Sequence, residues 1–437
     1  MPNFYDIAYA LGVAALAPVW LIKPGAPAKV FAAFSQRTGR ELPPRDLAKP
    51  AVMIHAVSLG EMNATRALIH LLSTHRDDLQ FIVSTTTKTG YERGQQLYGS
   101  DRRITLIRYP LDFSAAVARL LDALRPSAVV LMELEIWPNF MLACERRGIP
   151  VMLANGRITS SSFAKYRVVR PITARMLRRL SRLCVQDDLY AQRFIALGAP
   201  AQRVHITGTM KFDSAEVADD VPGASDLAAE VGLAPGHEPV WVCGSTGPGE
   251  EELILSVYRE LLAAHPALRL VLVPRHPERF DEVARFIEAQ HLPLLRRSRL
   301  PGEHARRSAV ILGDTMGELR KFYSIADIVF VGRSLVDLGP RQHGSDMIEP
   351  AALGKPIITG PFTANFAEAV RRFRARDALV EVATAAELRE AVSRLLADSP
   401  AAAERGRRGQ QVVREAQGAT ARHVEHLLEL LEGHQQA

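Results

Sequence analysis

The sequence predicts an α/β protein of two Rossmann-like domains facing a central cleft, preceded by an N-terminal membrane-anchoring segment. Three observations carry that expectation. The chain of 437 residues is longer than one hydrophobic core accommodates. Apolar strand-like runs alternate with helical periods through both halves, the signal of parallel α/β layers. Between the halves, residues 214–238 are acidic, rich in small residues and punctuated by Pro222, Gly223, Pro235 and Gly236, which reads as a linker.

The elements follow in order. An apolar run from Ile7 to Ile22, interrupted by Pro18, precedes Lys23, Lys29, Arg37 and Arg40, with Trp20, Phe31 and Phe34 placed as interfacial anchors. The run is short for a spanning helix, and no positive charge precedes it, which argues against a cleaved signal. Residues 1–30 are therefore expected to anchor the chain, with the basic side and the body cytoplasmic. The first domain, residues 31–213, is expected to hold strands at Ala51–Val57, Phe81–Thr85, Ile104–Ile107, Ala128–Met132, Pro150–Asn155, Arg182–Val185 and Val204–Ile206. The second, residues 239–384, is expected to hold them at Pro239–Cys243, Leu268–Val273, Val310–Leu312, Ile328–Val331 and Pro356–Thr359. Residues 385–437 read as helices that return toward the first domain.

Composition narrows the class. Cys144, Cys184 and Cys243 stand without C-x-x-C spacing, so neither a disulfide framework nor a zinc site is expected. The net charge of +6 is mild for the length, and no nucleic-acid partner is expected. Charge is uneven, however: Arg157, Lys165, Arg167, Arg170, Arg175, Arg178, Arg179 and Arg182 occur with no acid between the first and the last. This stretch is either a solvated helix face or a surface for anionic head groups.

In parallel sheets, ligands bind at the carboxyl ends of strands, so the motifs there matter most. His55-Ala-Val-Ser58-Leu-Gly60-Glu61 closes the first strand and opens a helix over Met62–His75. Ser58-x-x-Glu61 fits a capping box; Glu61 also stands where a general base would take a proton from a hydroxyl. Glu133 and Glu135 follow the fourth strand, and alternation points them to one side, the arrangement of a functional carboxylate pair. Two carboxylates also suit glycoside hydrolysis, the competing chemistry. Lys211, in Thr209-Met-Lys211-Phe-Asp213, stands at a strand-to-loop junction.

In the second half, Gly244-Ser245-Thr246-Gly247-Pro248-Gly249 runs from strand to helix, where N–H groups and the helix dipole suit a phosphate. It fits neither the dinucleotide fingerprint nor the P-loop. Pro274-Arg275-His276 ends another strand, and the Arg275 guanidinium can fork onto phosphate oxygens. Thr315-x-x-Glu318 again fits a capping box, with Met316, Gly317 and Glu318 at a helix start. Asp346, Met347, Ile348 and Glu349 lie on a helix expected from Ser345 to Gly354, where Glu349 could accept two ribose hydroxyls. No compact metal-ligand spacing appears, so no metal and no cofactor are expected; leaving-group charge would fall to helix termini, Arg275, His276 and Lys211.

Taken in order, HAVSLGE, MELEIWPN, NGRIT, GTMKFD, VPRHPERF, DTMGEL, ADIVFVGRSL and EPAALGKPIITGPFTANF resemble the 3-deoxy-D-manno-octulosonic acid (Kdo) transferases of lipopolysaccharide assembly, glycosyltransferase family 30. The resemblance implies a GT-B fold, a CMP-Kdo donor, a lipid A precursor (lipid IVA) as acceptor, inversion at the anomeric carbon and a place on the cytoplasmic face of the inner membrane, where the chain meets the membrane surface. By the same resemblance Glu61 is the catalytic base, Glu133 and Lys211 stabilise the transition state, and the Ser245–Thr246, Pro274–His276, Met316–Glu318 and Asp346–Glu349 segments bind CMP. The chain departs from the family pattern at Gly247, where a histidine is usual, at Arg333, where a glycine is usual, and in the longer loop from Gly339 to Glu349. There His343 is a candidate for the family's histidine, and Asp346 replaces an amide, with Arg333 and Arg341 available to offset its charge. The rival expectations are another GT-B transferase or epimerase with altered substrates, and a non-catalytic membrane adaptor that binds lipid or nucleotide.

Overall fold

The computed structural model describes residues 3–12, 34–300, 310–339 and 342–435. Most of the expected anchor (residues 13–30), together with Phe31 and Arg341, lies outside the described residues. Among the described residues, no helix is long and apolar enough to cross a membrane.

The chain divides into two compact units, Met1–Ser214 with Gln417–Ala437, and Ala215–Ala416. In the first unit, seven strands form one parallel sheet: β1 (Ala51–His55), β2 (Gln80–Thr85), β3 (Ile104–Arg108), β4 (Ala128–Met132), β5 (Val151–Gly156), β6 (Arg182–Val185) and β7 (Val204–Ile206). Their order across the sheet is β3-β2-β1-β4-β5-β6-β7. Every residue of β1, β4 and β5 is buried, as central strands covered by helices on both faces require. Register is fixed by pairs such as Val52↔Phe81 and Val52↔Ala128.

The second unit repeats the design with β8 (Val240–Thr246), β9 (Arg269–Pro274), β10 (Leu294–Arg296), β11 (Val310–Leu312), β12 (Ile328–Val331), β13 (Ile357–Thr359) and β14 (Leu379–Glu381). These strands are ordered β10-β11-β9-β8-β12-β13-β14, again all parallel. Two short strands absent from the sequence reading, β10 and β14, form its edges.

The span 214–238 is not a bare connector. It carries the helix Ala224–Glu230, buries Ala224, Leu227 and Ala228, and packs within the second unit. The helices from residue 385 onward are likewise divided. Ala385–Ala397 and Ser399–Ala416 stay with the second unit, and Ala419–Gln435 returns to the first. The last helix is fastened at its start, where the Asp213 carboxylate accepts the Gly418 N–H at 2.7 Å and also the Thr420 N–H. Its Val424, Leu427 and Leu431 then enter the core beside Met62, Leu68 and Leu72 of the helix Leu59–His75. Each such side chain contributes about 1.5–3 kcal/mol of burial.

Residues 4–12 are helical, and Asp6 pins them to the first unit. Its carboxylate accepts the Ser114 N–H at 2.7 Å, the Ser114 hydroxyl at 2.6 Å and the Asn139 side-chain amide at 3.1 Å. Phe4, Ile7 and Leu11, spaced three and four apart, remain exposed.

Candidate functional site

In the first unit the strand order reverses between β1 and β4, the point where a doubly wound sheet leaves a crevice beyond its carboxyl ends. Glu61 follows β1 and is the third residue of the helix Leu59–His75, which begins three residues earlier than the sequence suggests. The capping box is complete. The Ser58 hydroxyl accepts the Glu61 N–H at 3.2 Å, while the Glu61 carboxylate accepts the N–H groups of Val57 at 2.9 Å and Ser58 at 3.3 Å. Burial, and after it the neighbouring Glu133, raise the Glu61 pKa above the ordinary carboxylate range. The cap fixes the carboxylate in place, and its surroundings make it a better proton acceptor.

Glu133 follows β4 with φ at 58°, in the left-handed region a side chain rarely occupies. Strand alternation therefore ends at Met132, yet the two carboxylates stay within each other's field: burial, and then the charge of Glu133, raise the Glu135 pKa. Glu133 turns to Arg157, whose Nε lies 2.8 Å from its Oε2, whereas Glu135 accepts the Trp137 indole N–H at 3.1 Å. Arg157 is the site residue that sequence reasoning missed, because it read as the first member of a basic run. Two later members of that run are paired internally, Arg179 with Glu145 and Arg182 with Glu429.

Lys211 occupies the turn after β7, and its N–H donates to the Thr209 hydroxyl at 3.4 Å. The preceding N–H, of Met210, donates to the Asn155 side-chain carbonyl at 3.2 Å. Asn155 itself has φ of 54°, and its N–H donates to Nε2 of the buried His423 at 2.9 Å. The returning helix thus braces the turn that presents Lys211.

In the second unit the reversal lies between β8 and β12. Ser245 has φ of 55° and is buried, and its carbonyl accepts the Ser345 hydroxyl at 3.2 Å. Thr246 is wholly buried; its hydroxyl donates to Glu251, which is also bound by Arg279 at 2.6 Å. That hydroxyl serves the interior ion pair. One N–H of the expected phosphate cradle after β8 is taken internally, because the protein's own Glu250 carboxylate accepts the Gly247 N–H at 2.9 Å. Pro274 ends β9, and the Arg275 N–H donates to the Thr246 carbonyl at 3.0 Å, leaving the Arg275 side chain exposed. His276 is also exposed, with Nδ1 3.8 Å from Glu278.

Met316 is 72% exposed, and Gly317 has φ of 86°. Glu318 immediately precedes the helix Leu319–Ser324 and makes no capping box, contrary to the sequence pattern. Arg297 grips its carboxylate with two bonds of 3.0 and 3.1 Å, and the Thr315 hydroxyl donates to it as well. The helix expected from Ser345 to Gly354 spans only Ile348–Ala352. Asp346 Oδ1 accepts the Ile348 N–H at 2.9 Å ahead of it, Met347 and Ile348 are buried, and Glu349 is its second residue. Burial, and then Asp346, raise the Glu349 pKa to about 7. His343 places Nε2 2.8 Å from Asp337 Oδ1. Among the described residues, no group of three or more His, Cys, Asp or Glu side chains is placed to hold a metal ion.

Residues 32–214 match the family described as 3-deoxy-D-manno-octulosonic-acid transferase (kdotransferase). The chain is 36% identical to 3-deoxy-D-manno-octulosonic acid transferase of Haemophilus influenzae over 388 residues, covering 87% of this chain and 86% of the relative. It is 34% identical to the enzyme of that name from Bordetella pertussis, covering 83% of this chain and 85% of the relative. Among solved structures, the UDP-GlcNAc 2-epimerase from Neisseria meningitidis bound to UDP-GlcNAc is similar with a TM-score of 0.59 and 14% identity, over 87% of this chain and all of that one, a likeness of fold.

Proposed function

This chain belongs to the 3-deoxy-D-manno-octulosonic acid transferase family, and from that premise we propose that it moves Kdo from CMP-Kdo to a primary hydroxyl of the glucosamine disaccharide of a lipid A precursor, lipid IVA. The observation that carries this reading is the placement of Glu61 and Glu133 at the carboxyl ends of β1 and β4, the two strands at which the order of the first sheet reverses.

Glu61 removes the hydroxyl proton as the oxygen attacks C2 of Kdo from the face opposite CMP. The bond between C2 and the phosphate oxygen breaks with its electron pair going to CMP, and the configuration at C2 inverts. A base whose pKa is raised by burial and by Glu133 suits the proton transfer. Glu133, held by Arg157, and Lys211 supply fixed charge in the first unit. The second unit takes the nucleotide through Arg275, the Met316–Glu318 turn and Glu349, whose carboxylate receives the ribose hydroxyls. Positioning and electrostatics carry most of the rate.

A membrane-borne acceptor calls for a membrane-facing surface, on the cytoplasmic side of the inner membrane. Two features of the first unit support it: the exposed Phe4, with Ile7 and Leu11 of the apolar run, and Val168, 84% exposed and close in sequence to Lys165 and Arg167.

The test is transfer by the purified protein from CMP-Kdo, generated in situ, to a tetra-acylated lipid A precursor, read by product mass, with Glu61→Gln alongside. A product heavier by one or more Kdo units, absent with the variant, is expected. An active Glu61→Gln overturns the base assignment, and a wild-type protein without product overturns the reading.

A further inference from the structure

Arg333 is the second residue after β12, at the point where the second sheet reverses, and its φ of 58° is unusual for any residue but glycine. A left-handed arginine costs about 1–2 kcal/mol and persists only where its surroundings hold it. Here Glu250 holds it. This fully buried carboxylate accepts four backbone N–H groups: Arg333 at 2.6 Å, Ser334 and Leu335 at 2.8 Å, and Gly247 at 2.9 Å. Its oxygens are thereby committed to the backbone of two loops. The Arg333 stem lies over Gly247, where an added Cβ would stand 3.0 Å from Arg333 Cγ and 2.6 Å from a methyl of Leu338. The missing side chain at 247 is what leaves room for this arginine.

The Arg333 guanidinium has unused capacity. Its Nε is buried with no hydrogen-bond partner, an arrangement that costs about 1–3 kcal/mol unless a ligand meets it. Burial, and then the field of Arg275, hold the Arg333 pKa down, so a second guanidinium acts on the same space. Two neighbouring cations call for two anionic groups. The donor of the proposed reaction carries two on one carbon: the anomeric C2 of a 2-keto sugar acid bears both the phosphodiester oxygen and the carboxylate. Arg275 acts also on Glu349 and Tyr323, on the nucleotide side; Arg333 is the cation held against Gly247 and Glu250. We propose that Arg333 receives the donor's carboxylate, so that it selects an acidic sugar while Arg275 receives the phosphate. A planar guanidinium matches a carboxylate with two parallel bonds, which a lysine cannot reproduce.

This inference rests on the Kdo-transfer reading, and the experiment separates the two. Steady-state transfer gives the KM for CMP-Kdo, and calorimetry gives the affinity for CMP, which lacks the carboxylate. Arg333→Gly is the informative variant, because glycine suits a φ of 58° and should not strain the loop. It should raise the KM for CMP-Kdo on the order of 10- to 100-fold, the loss of a charge-assisted pair, while CMP affinity stays within about twofold. Arg333→Lys should fall between the two and guards against a folding defect in the first variant. An unchanged KM, or equal losses for CMP-Kdo and CMP, overturns the inference while leaving Kdo transfer intact. A wild-type protein that binds CMP and transfers no Kdo overturns both.

Discussion

Arg157 Nε lies 2.8 Å from Glu133 Oε2, and this ion pair joins the residue after β4 to the loop after β5. Glu133 holds a left-handed backbone to make it. The carboxylate thereby stays near Glu61, and its field strengthens Glu61 as a base. Four measurable consequences follow from this and neighbouring contacts.

Glu61→Gln separates chemistry from folding. Glutamine serves as well as glutamate in a capping box, so the unfolding free energy should change by less than about 0.5 kcal/mol. Turnover should fall roughly 100- to 10,000-fold. Denaturant titration and the transfer assay on one preparation check both, and a stable, active variant removes Glu61 from the mechanism.

Arg157→Ala strips Glu133 of its cation. Turnover should drop by about tenfold or more, and the double variant with Glu133→Gln should lose less than the sum of the two single losses, with a coupling of about 1 kcal/mol. Strict additivity would mean that the two side chains act independently.

Acid should weaken the first unit through His423. Its Nδ1 faces the Ala419 carbonyl at 2.7 Å and carries the proton, so Nε2 accepts the Asn155 N–H. Burial lowers its pKa to about 4. The unfolded chain therefore takes up a proton near pH 6.5 that the folded one refuses until about pH 4. Stability contributed by His423 is complete above pH 6.5 and declines as the pH falls toward 4, by about 1.4 kcal/mol per pH unit. His55, lowered to about 3 by burial, acts in the same direction, and Asp112, raised to about 6 by burial, acts against it between its ordinary value and 6. His423→Gln keeps an acceptor for the Asn155 N–H and should reduce the pH slope by one proton; urea midpoints at several pH values reveal it.

Glu349 should make CMP binding depend on pH near neutrality. Its folded pKa of about 7 means that the free protein holds a proton there that the unfolded chain has lost. Its contribution to stability therefore falls as the pH rises from about 4.5 to 7. In the proposed reading ribose hydroxyls donate to the charged carboxylate, so CMP affinity should rise as the pH passes through 7. Glu349→Gln should flatten that dependence in calorimetric titrations, and an unaltered profile would place the titrating group elsewhere.

The central strands were legible because β1, β4, β8 and β12 are continuous apolar runs bounded by turn residues. The edges were not. β10 and β14 have three residues each, and the ends of β10 and the last residue of β14 are not fully buried, so no apolar run marks them. Site residues that follow strands were found from position and chemistry. What position could not supply was direction: a left-handed φ at Glu133 turns its carboxylate to Arg157, and a buried Glu250 takes one N–H of the loop expected to hold a phosphate. Both depend on contacts distant in sequence, Arg157 for the first and the Arg333 loop for the second.

The return of residues 417–437 to the first unit makes the second unit, Ala215–Ala416, an insertion within the first. During synthesis the inserted unit is complete in one continuous stretch. The host unit must wait for Val424, Leu427 and Leu431 to leave the ribosome before its core closes. The order of maturation is thereby inverted relative to the order of the sequence: the second unit can form first, and the unit carrying Glu61 is completed after it, by the helix Ala419–Gln435.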